Sequence, residues 1–317
     1  MDARTIGLSE LTVSVVGLGC NNFGRPDTAS FEPAGTNAVV DAAIEAGVTF
    51  FDTADVYGAE YGLSESRLGT ALAGRRDRVI VATKFGHTEF PSPIPGTRGS
   101  PEYIRAAVEG SLRRLNTDYI DLYQQHMPDP ETPIDETLGA LDELVREGKV
   151  RAIGSSNFDA EQLEEAESQA IRAGTAHFVS AQNEYNLLAR RAEVEVLPAV
   201  TAARMGFLPF FPLANGLFTG KFTKDERPAD SRIARIRPHV ADNAPWSAIE
   251  AYRDFCGARG ISMLEATFGW LLSRPSLTSV IAGATRPDQI TENASAGNGW
   301  RPSPAEAEEI EDFFPLN

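Results

Sequence analysis

The chain has 317 residues, of which 42% are hydrophobic, so it is long enough to bury a sizeable core. Its formal net charge of −16 argues against nucleic acid or an anionic membrane as a general partner. Two cysteines and four scattered histidines provide neither a disulfide framework nor the ligand spacing of a metal site, so no metal is expected.

In chain order, the N-terminus has no apolar signal core, and no later apolar run is long enough to span a bilayer. We therefore expect a cytoplasmic protein. Residues 4–6 and 12–14 flank the turn Gly7-Leu8-Ser9 and are predicted to form a small hairpin.

Beyond the hairpin, short apolar runs alternate with amphipathic helical patterns. Predicted strands cover 15–19, 48–52, 79–84, 119–125, 150–154, 177–182, 207–211 and 277–282. Predicted helices cover 36–46, 64–73, 101–115, 133–147, 159–173, 192–203, 246–259, 263–273, 286–296 and 304–314. Thr36 and Asp159 are candidate N-caps, and Gly174 is predicted to end the helix that Asp159 caps. Pro198 predicts a kink or break. Residues 85–100 and 222–245 are predicted to be irregular.

Eight strand–helix units without a composition break predict one α/β domain over residues 1–317. The expected fold is a (β/α)8 TIM barrel with an N-terminal β-hairpin and long loops at the C-terminal face of the strands. An open doubly wound sheet is the alternative. It is less favoured because no strand is followed by a glycine-rich dinucleotide fingerprint.

Three successive predicted strands end at or near titratable side chains. Asp52 ends one strand and Tyr57 follows it, Lys84 ends the next, and His126 follows the third. Singly, each has an ordinary structural explanation, such as a solvated strand end or a structural histidine. Because the C-terminal ends of parallel strands meet at one face of a barrel, we expect the four side chains to lie together.

Motifs along the chain resemble those of the aldo-keto reductase family. They are FFDTADVYG, VIVATKFG, DLYQQHMPD, IGSSNF, AQNEYN, FPLANGLFTGK and IAGATRPDQITEN, in the family's order. The resemblance covers nearly the whole chain. The branches of the family that the chain resembles are the general oxidoreductases and the potassium-channel β-subunits. It implies a barrel enzyme that reduces an aldehyde or ketone to an alcohol by hydride transfer from NAD(P)H.

The resemblance implies a catalytic tetrad of Asp52, Tyr57, Lys84 and His126. Tyr57 would act as general acid on the carbonyl oxygen, and Lys84 would lower the pKa of its phenol. Asp52 would keep Lys84 charged and in place. His126 would orient the carbonyl group.

The resemblance also implies a nicotinamide cofactor, with NADPH preferred and NADH as the alternative. Arg286 would bind the 2′-phosphate, since a guanidinium can grip phosphate through two hydrogen bonds. The implied cofactor residues are Ser156, Asn157, Gln182, Phe210, Leu213, Gly216, Thr219, Lys221, Gly283, Thr285, Arg286, Gln289 and Asn293. Gly283 and Gln289 replace a Lys and an Arg that some branches place on the 2′-phosphate, which leaves the preference for NADPH open.

The loops after the strands predict a substrate pocket that includes Asn21, Asn22, Phe23 and His87. The expected partner is a small carbonyl compound, without nucleic acid or membrane, and the protein is expected to be a monomer or a small homo-oligomer. One alternative is a nicotinamide-binding redox-sensing module like the channel β-subunits. Another is a barrel aldolase with Lys84 as a Schiff-base nucleophile, which requires a desolvated lysine.

Overall fold

The computed structural model describes residues 1–229 and 231–316. The chain begins with an antiparallel hairpin of β1 (Ala3–Thr5) and β2 (Thr12–Ser14). A sheet of eight parallel strands follows, in the order β10-β3-β4-β5-β6-β7-β8-β9. Its strands are β3 (Val16–Gly19), β4 (Phe50–Asp52), β5 (Ile80–Phe85), β6 (Ile120–Gln125), β7 (Val150–Ser156), β8 (Phe178–Gln182), β9 (Gly206–Phe207) and β10 (Val280–Gly283).

Helices alternate with these strands. They are α1 (Pro33–Glu45), α2 (Leu63–Ala71), α3 (Pro101–Leu115), α4 (Ile134–Arg146), α5 (Ala160–Ala173), α6 (Ala192–Glu195), α7 (Leu197–Ala202), α8 (Arg232–Ile236), α9 (Pro238–Asp242), α10 (Trp246–Ala258), α11 (Met263–Leu272), α12 (Pro287–Asn298) and α13 (Pro304–Phe313). Short 3₁₀ helices cover Cys20–Asn22, Arg76–Arg78 and Ala214–Thr219.

The sheet closes between β9 and the segment that leads into β10. Phe207 N donates to Ser276 O and Thr278 N donates to Phe207 O, both at 2.8 Å. This parallel bridge joins the last strands of the sheet to each other, and the prediction of a (β/α)8 barrel is confirmed.

Side chains of the strands alternate between two apolar cores. Phe50, Leu122 and other inward residues pack with Ile6, Leu11 and Val13 of the hairpin. Their chain neighbours, such as Phe51 and Tyr123, belong to the core between the sheet and the helices. This period-two alternation follows from strand geometry, and it shows that the hairpin covers the N-terminal end of the barrel interior.

Most element boundaries follow the prediction, with three corrections. Thr36 is not an N-cap: α1 begins at Pro33, and the Thr36 hydroxyl donates to Ser30 O at 2.9 Å. The strand predicted over 207–211 is only Gly206–Phe207. The stretch 222–245 contains the two short helices α8 and α9.

Two helix signals in the sequence are confirmed. Asp159 caps α5 by accepting from Gln162 N, and Gly174 ends that helix with φ of 66°. The helical run predicted over 192–203 breaks into α6 and α7, with Pro198 in the first turn of α7, where a proline is tolerated.

Within residues 1–229 and 231–316, no helix is long and apolar enough to cross a membrane. The same residues contain no cluster of three His, Cys, Asp or Glu side chains that could hold a metal ion. The cytoplasmic location and the single domain over the whole chain stay predictions.

Candidate active site

The structure brings Asp52, Tyr57 and Lys84 together at the C-terminal face of the barrel. Lys84 Nζ lies 2.6 Å from Asp52 Oδ2 and 3.4 Å from Tyr57 Oη. It also donates to Thr53 O at 3.0 Å. Since the Lys84 side chain is fully buried, its ammonium group is held between one carboxylate and one phenol.

His126 completes the group of four. Its ring lies edge-on to the Tyr57 ring, with 5.6 Å between the centroids. Burial lowers the pKa of His126 well below its ordinary value, and the cationic Lys84 and then His87 act in the same direction. The imidazole is therefore neutral at neutral pH, and a neutral imidazole can donate one hydrogen bond and accept another.

Asp52 is held by more than Lys84. Its Oδ1 accepts from Gln182 Nε2 at 2.9 Å and from Gln124 Nε2 at 3.3 Å. The two amides also contact each other, with Gln182 Nε2 3.3 Å from Gln124 Oε1. Gln182, predicted to contact the cofactor, thus directs its amide nitrogen to Asp52 and helps to fix the position of the carboxylate.

Lys84 acts on the pKa of Tyr57 in the predicted downward direction, but burial outweighs it. Burial raises the pKa of Tyr57, and the opposing effect of Lys84 does not bring it below its ordinary value, partly because Asp52 also raises it. For Lys84, burial lowers the pKa, but the Asp52 carboxylate and Tyr57 outweigh it, and the net direction is upward. Lys84 is therefore an ammonium ion, which disfavours a Schiff-base mechanism that needs the free amine.

Two of the predicted cofactor residues lie where β7 ends. The Ser156 hydroxyl donates to Gln182 O at 2.9 Å, and Asn157 Nδ2 donates to His126 O at 3.0 Å. Asn157 has a φ of 62°, a left-handed conformation that Asn tolerates better than most residues. These polar side chains therefore lie directly beside the tetrad.

The segment after β9 has an unusual backbone. Phe211, Ala214, Asn215 and Gly216 all have positive φ, and a 3₁₀ helix covers Ala214–Thr219. Three backbone N–H groups of the segment are used within it, because Ala214 N donates to Phe211 O, and Gly216 N and Phe218 N donate to Leu213 O. The predicted cofactor residues Phe210, Leu213, Gly216 and Thr219 belong to this segment, and Lys221 follows it.

The remaining predicted cofactor residues follow β10. Gln289 Oε1 accepts from Thr285 N at 2.8 Å and from Arg286 N at 3.2 Å, which fixes the turn that enters α12. Arg286 Nε lies 3.2 Å from Asp288 Oδ1, and Lys221 Nζ lies 3.8 Å from Glu292 Oε2. Asn293 is buried. The segments after β9 and β10 thus lie side by side.

Several buried oxygens at this face have no hydrogen-bond partner within the part of the chain that the structure describes. They are Oδ1 of Asn21, Asn183 and Asn215. Buried polar groups are nearly always paired, so these atoms have hydrogen-bonding capacity left for a ligand. The unpaired amide oxygens fit a ligand that offers hydrogen-bond donors, such as the carboxamide and hydroxyl groups of a nicotinamide dinucleotide.

The predicted substrate residues divide into two groups. Asn21 and Asn22 belong to the 3₁₀ turn after β3. The Asn22 side chain lies close to Gly283 at the end of β10, since a methyl group on Gly283 would lie 3.3 Å from Asn22 Nδ2. The His87 ring is edge-on to His126, with 4.5 Å between the centroids. Phe23 is fully buried in the core between the sheet and the helices, and its part in a substrate pocket stays a prediction.

The sequence comparisons agree with this geometry. The sequence model of the Aldo/keto reductase family matches residues 15–313. This chain belongs to the aldo/keto reductase family. It is therefore an oxidoreductase by descent, and the resemblance found in the sequence is confirmed. The family acts on carbonyl compounds and generally uses nicotinamide cofactors.

Relatives of this aldo/keto reductase family member come from bacteria and plants. Uncharacterized oxidoreductase YrpG of Bacillus subtilis is 37% identical over 306 residues, 93% of this chain and 91% of that protein. L-glyceraldehyde 3-phosphate reductase of Escherichia coli K12 is 32% identical over 98% of this chain and 92% of its own length. A probable voltage-gated potassium channel subunit beta of Oryza sativa is 34% identical over 93% and 91%.

Sequence reasoning missed Gln124 as a partner of Asp52. The available signal was the alternation in β6, where Leu122 and Gln124 share the inward face of the strand. An amide on the inward face of an apolar strand needs a hydrogen-bond partner, and the carboxylate at the end of β4 is that partner.

Proposed function

We propose that this aldo/keto reductase family member reduces an aldehyde or ketone to an alcohol, with Tyr57 as the general acid. The observation that supports this best is the position of Lys84 Nζ, which contacts both Asp52 and the Tyr57 hydroxyl. A nicotinamide cofactor, when bound, supplies the hydride that reaches the carbonyl carbon. Residues 213–221 and 283–293, with Ser156 and Asn157, would hold it.

The raised pKa of Tyr57, which burial causes, keeps its proton in place at neutral pH. Tyr57 Oη would donate that proton to the carbonyl oxygen as negative charge develops there. The Lys84 ammonium would stabilise the resulting phenolate, while Asp52 and its amide partners keep Lys84 in position. Neutral His126 would donate a hydrogen bond to the same carbonyl oxygen and orient the substrate.

NADPH is the proposed donor. Arg286 stands at the start of α12, beside the turn fixed by Gln289, where a 2′-phosphate could accept from its guanidinium. Asp288 already pairs with this arginine, so the preference over NADH should be moderate rather than strict.

The first test is the loss of NADPH absorbance, and separately of NADH absorbance, with 4-nitrobenzaldehyde. We expect Tyr57→Phe to lower kcat by about 10²–10⁴-fold, because it removes the transferable proton, and to leave cofactor affinity unchanged. The matched control is Tyr119→Phe, which removes the same hydroxyl group elsewhere. Tyr119 directly precedes β6, at the end of the barrel opposite the candidate active site.

Two outcomes would count against the proposal. If Tyr57→Phe keeps the wild-type rate, Tyr57 is not the general acid. If the wild-type protein binds NADPH but converts no aldehyde or ketone in a broad panel, a redox-sensing role gains support. This alternative is retained because a protein named as a probable voltage-gated potassium channel subunit beta is 34% identical to this chain.

A further inference from the structure

The segment after β8 runs beside the segment after β9 and contacts it through backbone and side chain. Phe210 N donates to Asn183 O at 3.1 Å, and Tyr185 N donates to Phe210 O at 3.4 Å. Asn186, which is 1% exposed, adds a side-chain contact: its Nδ2 donates to Phe211 O at 3.0 Å. Asn186 therefore reaches the backbone of the segment that contains several predicted cofactor residues.

Phe211 has a backbone conformation that needs support. Its φ of 51° lies in the left-handed region, where the Cβ atom crowds the following carbonyl oxygen. A bulky residue keeps such a conformation only where the surrounding structure fixes it. Phe211 O accepts from Ala214 N at 2.9 Å and from Asn186 Nδ2. Among residues 1–229 and 231–316, no other side chain hydrogen-bonds to the backbone of residues 210–215, so the Asn186 amide is the side-chain support of this turn.

Asn186 is itself held in one orientation. Its Oδ1 accepts from Leu188 N at 2.9 Å, so exchanging the amide oxygen and nitrogen would lose the hydrogen bonds of both atoms. Its backbone exchanges two hydrogen bonds with Ala189, at 3.3 and 3.0 Å. Just beyond this turn, Arg190 Nε donates to Glu193 Oε1 at 2.8 Å. The amide therefore offers a fixed donor to the carbonyl group that it contacts.

The turn at Phe211 affects residues on both sides of it. Phe210 directly precedes it, and the two rings are edge-on, with 5.1 Å between their centroids. Leu213 follows it, and Leu213 O accepts from Gly216 N at 2.9 Å and from Phe218 N at 3.3 Å. A change in the Phe211 backbone would therefore displace both the Phe210 ring and the hydrogen-bonded segment 213–218.

We propose that Asn186 is a positioning residue for the nicotinamide cofactor. Its amide holds the left-handed turn at Phe211 and thereby orients Phe210 and the segment 213–219, which are predicted to contact the cofactor. Asn186 is buried and acts through this turn. The inference rests on the proposed function, because it requires that these residues bind the cofactor.

Asn186→Asp is the direct test, because aspartate keeps the acceptor for Leu188 N and removes the donor to Phe211 O. We expect the Kd for NADPH to rise roughly 5- to 50-fold, the effect of a lost hydrogen bond whose buried partner stays unpaired. The KM for NADPH should rise with it, while the KM for 4-nitrobenzaldehyde should change less than about threefold. Fluorescence titration with NADPH and steady-state kinetics measure these values.

Asn298→Asp is the matched control. Asn298 Nδ2 also donates to a backbone carbonyl, Ala294 O, at 3.2 Å, but its Oδ1 accepts from Asp2 N, next to the hairpin at the other end of the barrel. This variant should leave the Kd for NADPH unchanged. Thermal melting of both variants separates these results from misfolding. An unchanged Kd in folded Asn186→Asp, or an equal rise in both variants, would overturn the proposal.

A double-mutant cycle with Phe211→Gly tests how Asn186 acts. Glycine adopts positive φ without the crowding of a Cβ atom, so the turn would no longer depend on the Asn186 amide. In the Phe211→Gly background, Asn186→Asp should therefore change the Kd for NADPH by less than about threefold. The same loss of affinity in both backgrounds would show that Asn186 does not act through the left-handed turn, and would overturn the proposal.

Amide hydrogen exchange in the cofactor-free protein separates this inference from the proposed function. The amides of Ala214, Gly216 and Phe218 donate within the segment and should exchange faster in Asn186→Asp, but not in Asn298→Asp. Faster exchange and weaker NADPH binding, in a protein that reduces no carbonyl compound, would leave the positioning role standing and remove the reductase. Aldehyde turnover with unchanged exchange and unchanged NADPH affinity in Asn186→Asp would do the reverse.

Discussion

The buried Lys84–Asp52 pair determines the chemistry of the residues around it. Asp52 is saturated: one oxygen accepts from Lys84 and the other from Gln182 and Gln124. Burying two charges is costly unless each is paired and hydrogen-bonded, and this pair meets both conditions. In the proposed function, the Tyr57 hydroxyl is the group beside Lys84 that would pass its proton to a substrate.

Asp55, on the same loop as Tyr57, is a second buried acid. Its Oδ2 accepts from the Tyr61 hydroxyl at 2.7 Å, while Oδ1 has no partner among the described residues. Burial raises the pKa of Asp55 to about 7, and the nearby Glu65 carboxylate acts in the same direction. Tyr61 and Arg114 oppose this shift without cancelling it.

Asp55→Asn should therefore change how stability depends on pH. The folded-state pKa of about 7 exceeds the ordinary aspartate value of 3.8, so between these two pH values the folded protein holds a proton that the unfolded chain has lost. Stability contributed by this group falls as pH rises through that window. Relative to wild type, Asp55→Asn should gain on the order of 1–3 kcal/mol between pH 5 and pH 8.

Denaturant unfolding at both pH values measures this difference. Asp118→Asn is the control, because it removes a carboxylate at an exposed position. If the difference between Asp55→Asn and wild type is the same at pH 5 and pH 8, Asp55 does not titrate in this range.

Among the helices, the contact between α2 and α3 depends on one glycine. A methyl group on Gly69 would lie 2.6 Å from Arg114 O and Leu115 O at the end of α3. The two helices therefore approach each other as closely as they do because position 69 has no side chain. Gly257 in α10 offers the contrast, since a methyl group there would meet no described atom within 4 Å.

Alanine substitutions at these two positions should have opposite effects. Gly69→Ala should lower the free energy of unfolding by about 1–3 kcal/mol, because backbone atoms of α3 must move. Gly257→Ala should raise it by about 0.4–1 kcal/mol, because alanine loses less conformational entropy in a helix. Urea unfolding of both variants measures this, and a stabilising Gly69→Ala would show that α2 and α3 separate without cost.

The helices α8 and α9 show where element prediction fails. Each has five residues, which is too short for a periodic apolar pattern, and the surrounding stretch is rich in Arg, Asp and Pro. Ser231 caps α8 by accepting from Ala234 N, and Ile233 is fully buried. Helices this short are marginal alone, so tertiary contacts stabilise α8.

For the molecule as a whole, the hairpin closes the end of the barrel opposite the active site. Leu11 is 2% exposed and packs inside the barrel, whereas Leu8 in the same hairpin turn is 63% exposed. Gly7 has a φ of 51°, and a methyl group there would lie 2.4 Å from Val179 O, so the turn is pressed against the barrel. The hairpin is thus part of the interior packing.

Leu11→Ala should lower the free energy of unfolding by about 2–5 kcal/mol, since it leaves a cavity in the barrel interior. Leu8→Ala should change it by less than about 0.5 kcal/mol. Thermal and urea unfolding of the pair would measure this. Similar values for both would mean that the hairpin contributes little to the packing of the barrel.

Local patterns in the sequence were sufficient for most of the fold. The alternation of apolar strands with amphipathic helices predicted the barrel, and Asp159, Gly174 and Pro198 marked helix ends and a break correctly. These signals are readable because caps, glycine termini and prolines act over only a few residues. The titratable side chains at strand ends also predicted that Asp52, Lys84 and Tyr57 would meet, since parallel strands end on one face.

The tertiary structure decided what depends on neighbours distant in the chain. The Gln182 amide donates to Asp52, and Phe23 is buried in the core. Burial raises the pKa of Tyr57, although Lys84 lowers it. The helix α8 contacts the loop after β3, which is distant in the chain, because Arg235 Nη1 donates to Asp27 O. Burial and electrostatic interactions depend on distances across the fold, and residue type and spacing along the chain do not specify those distances.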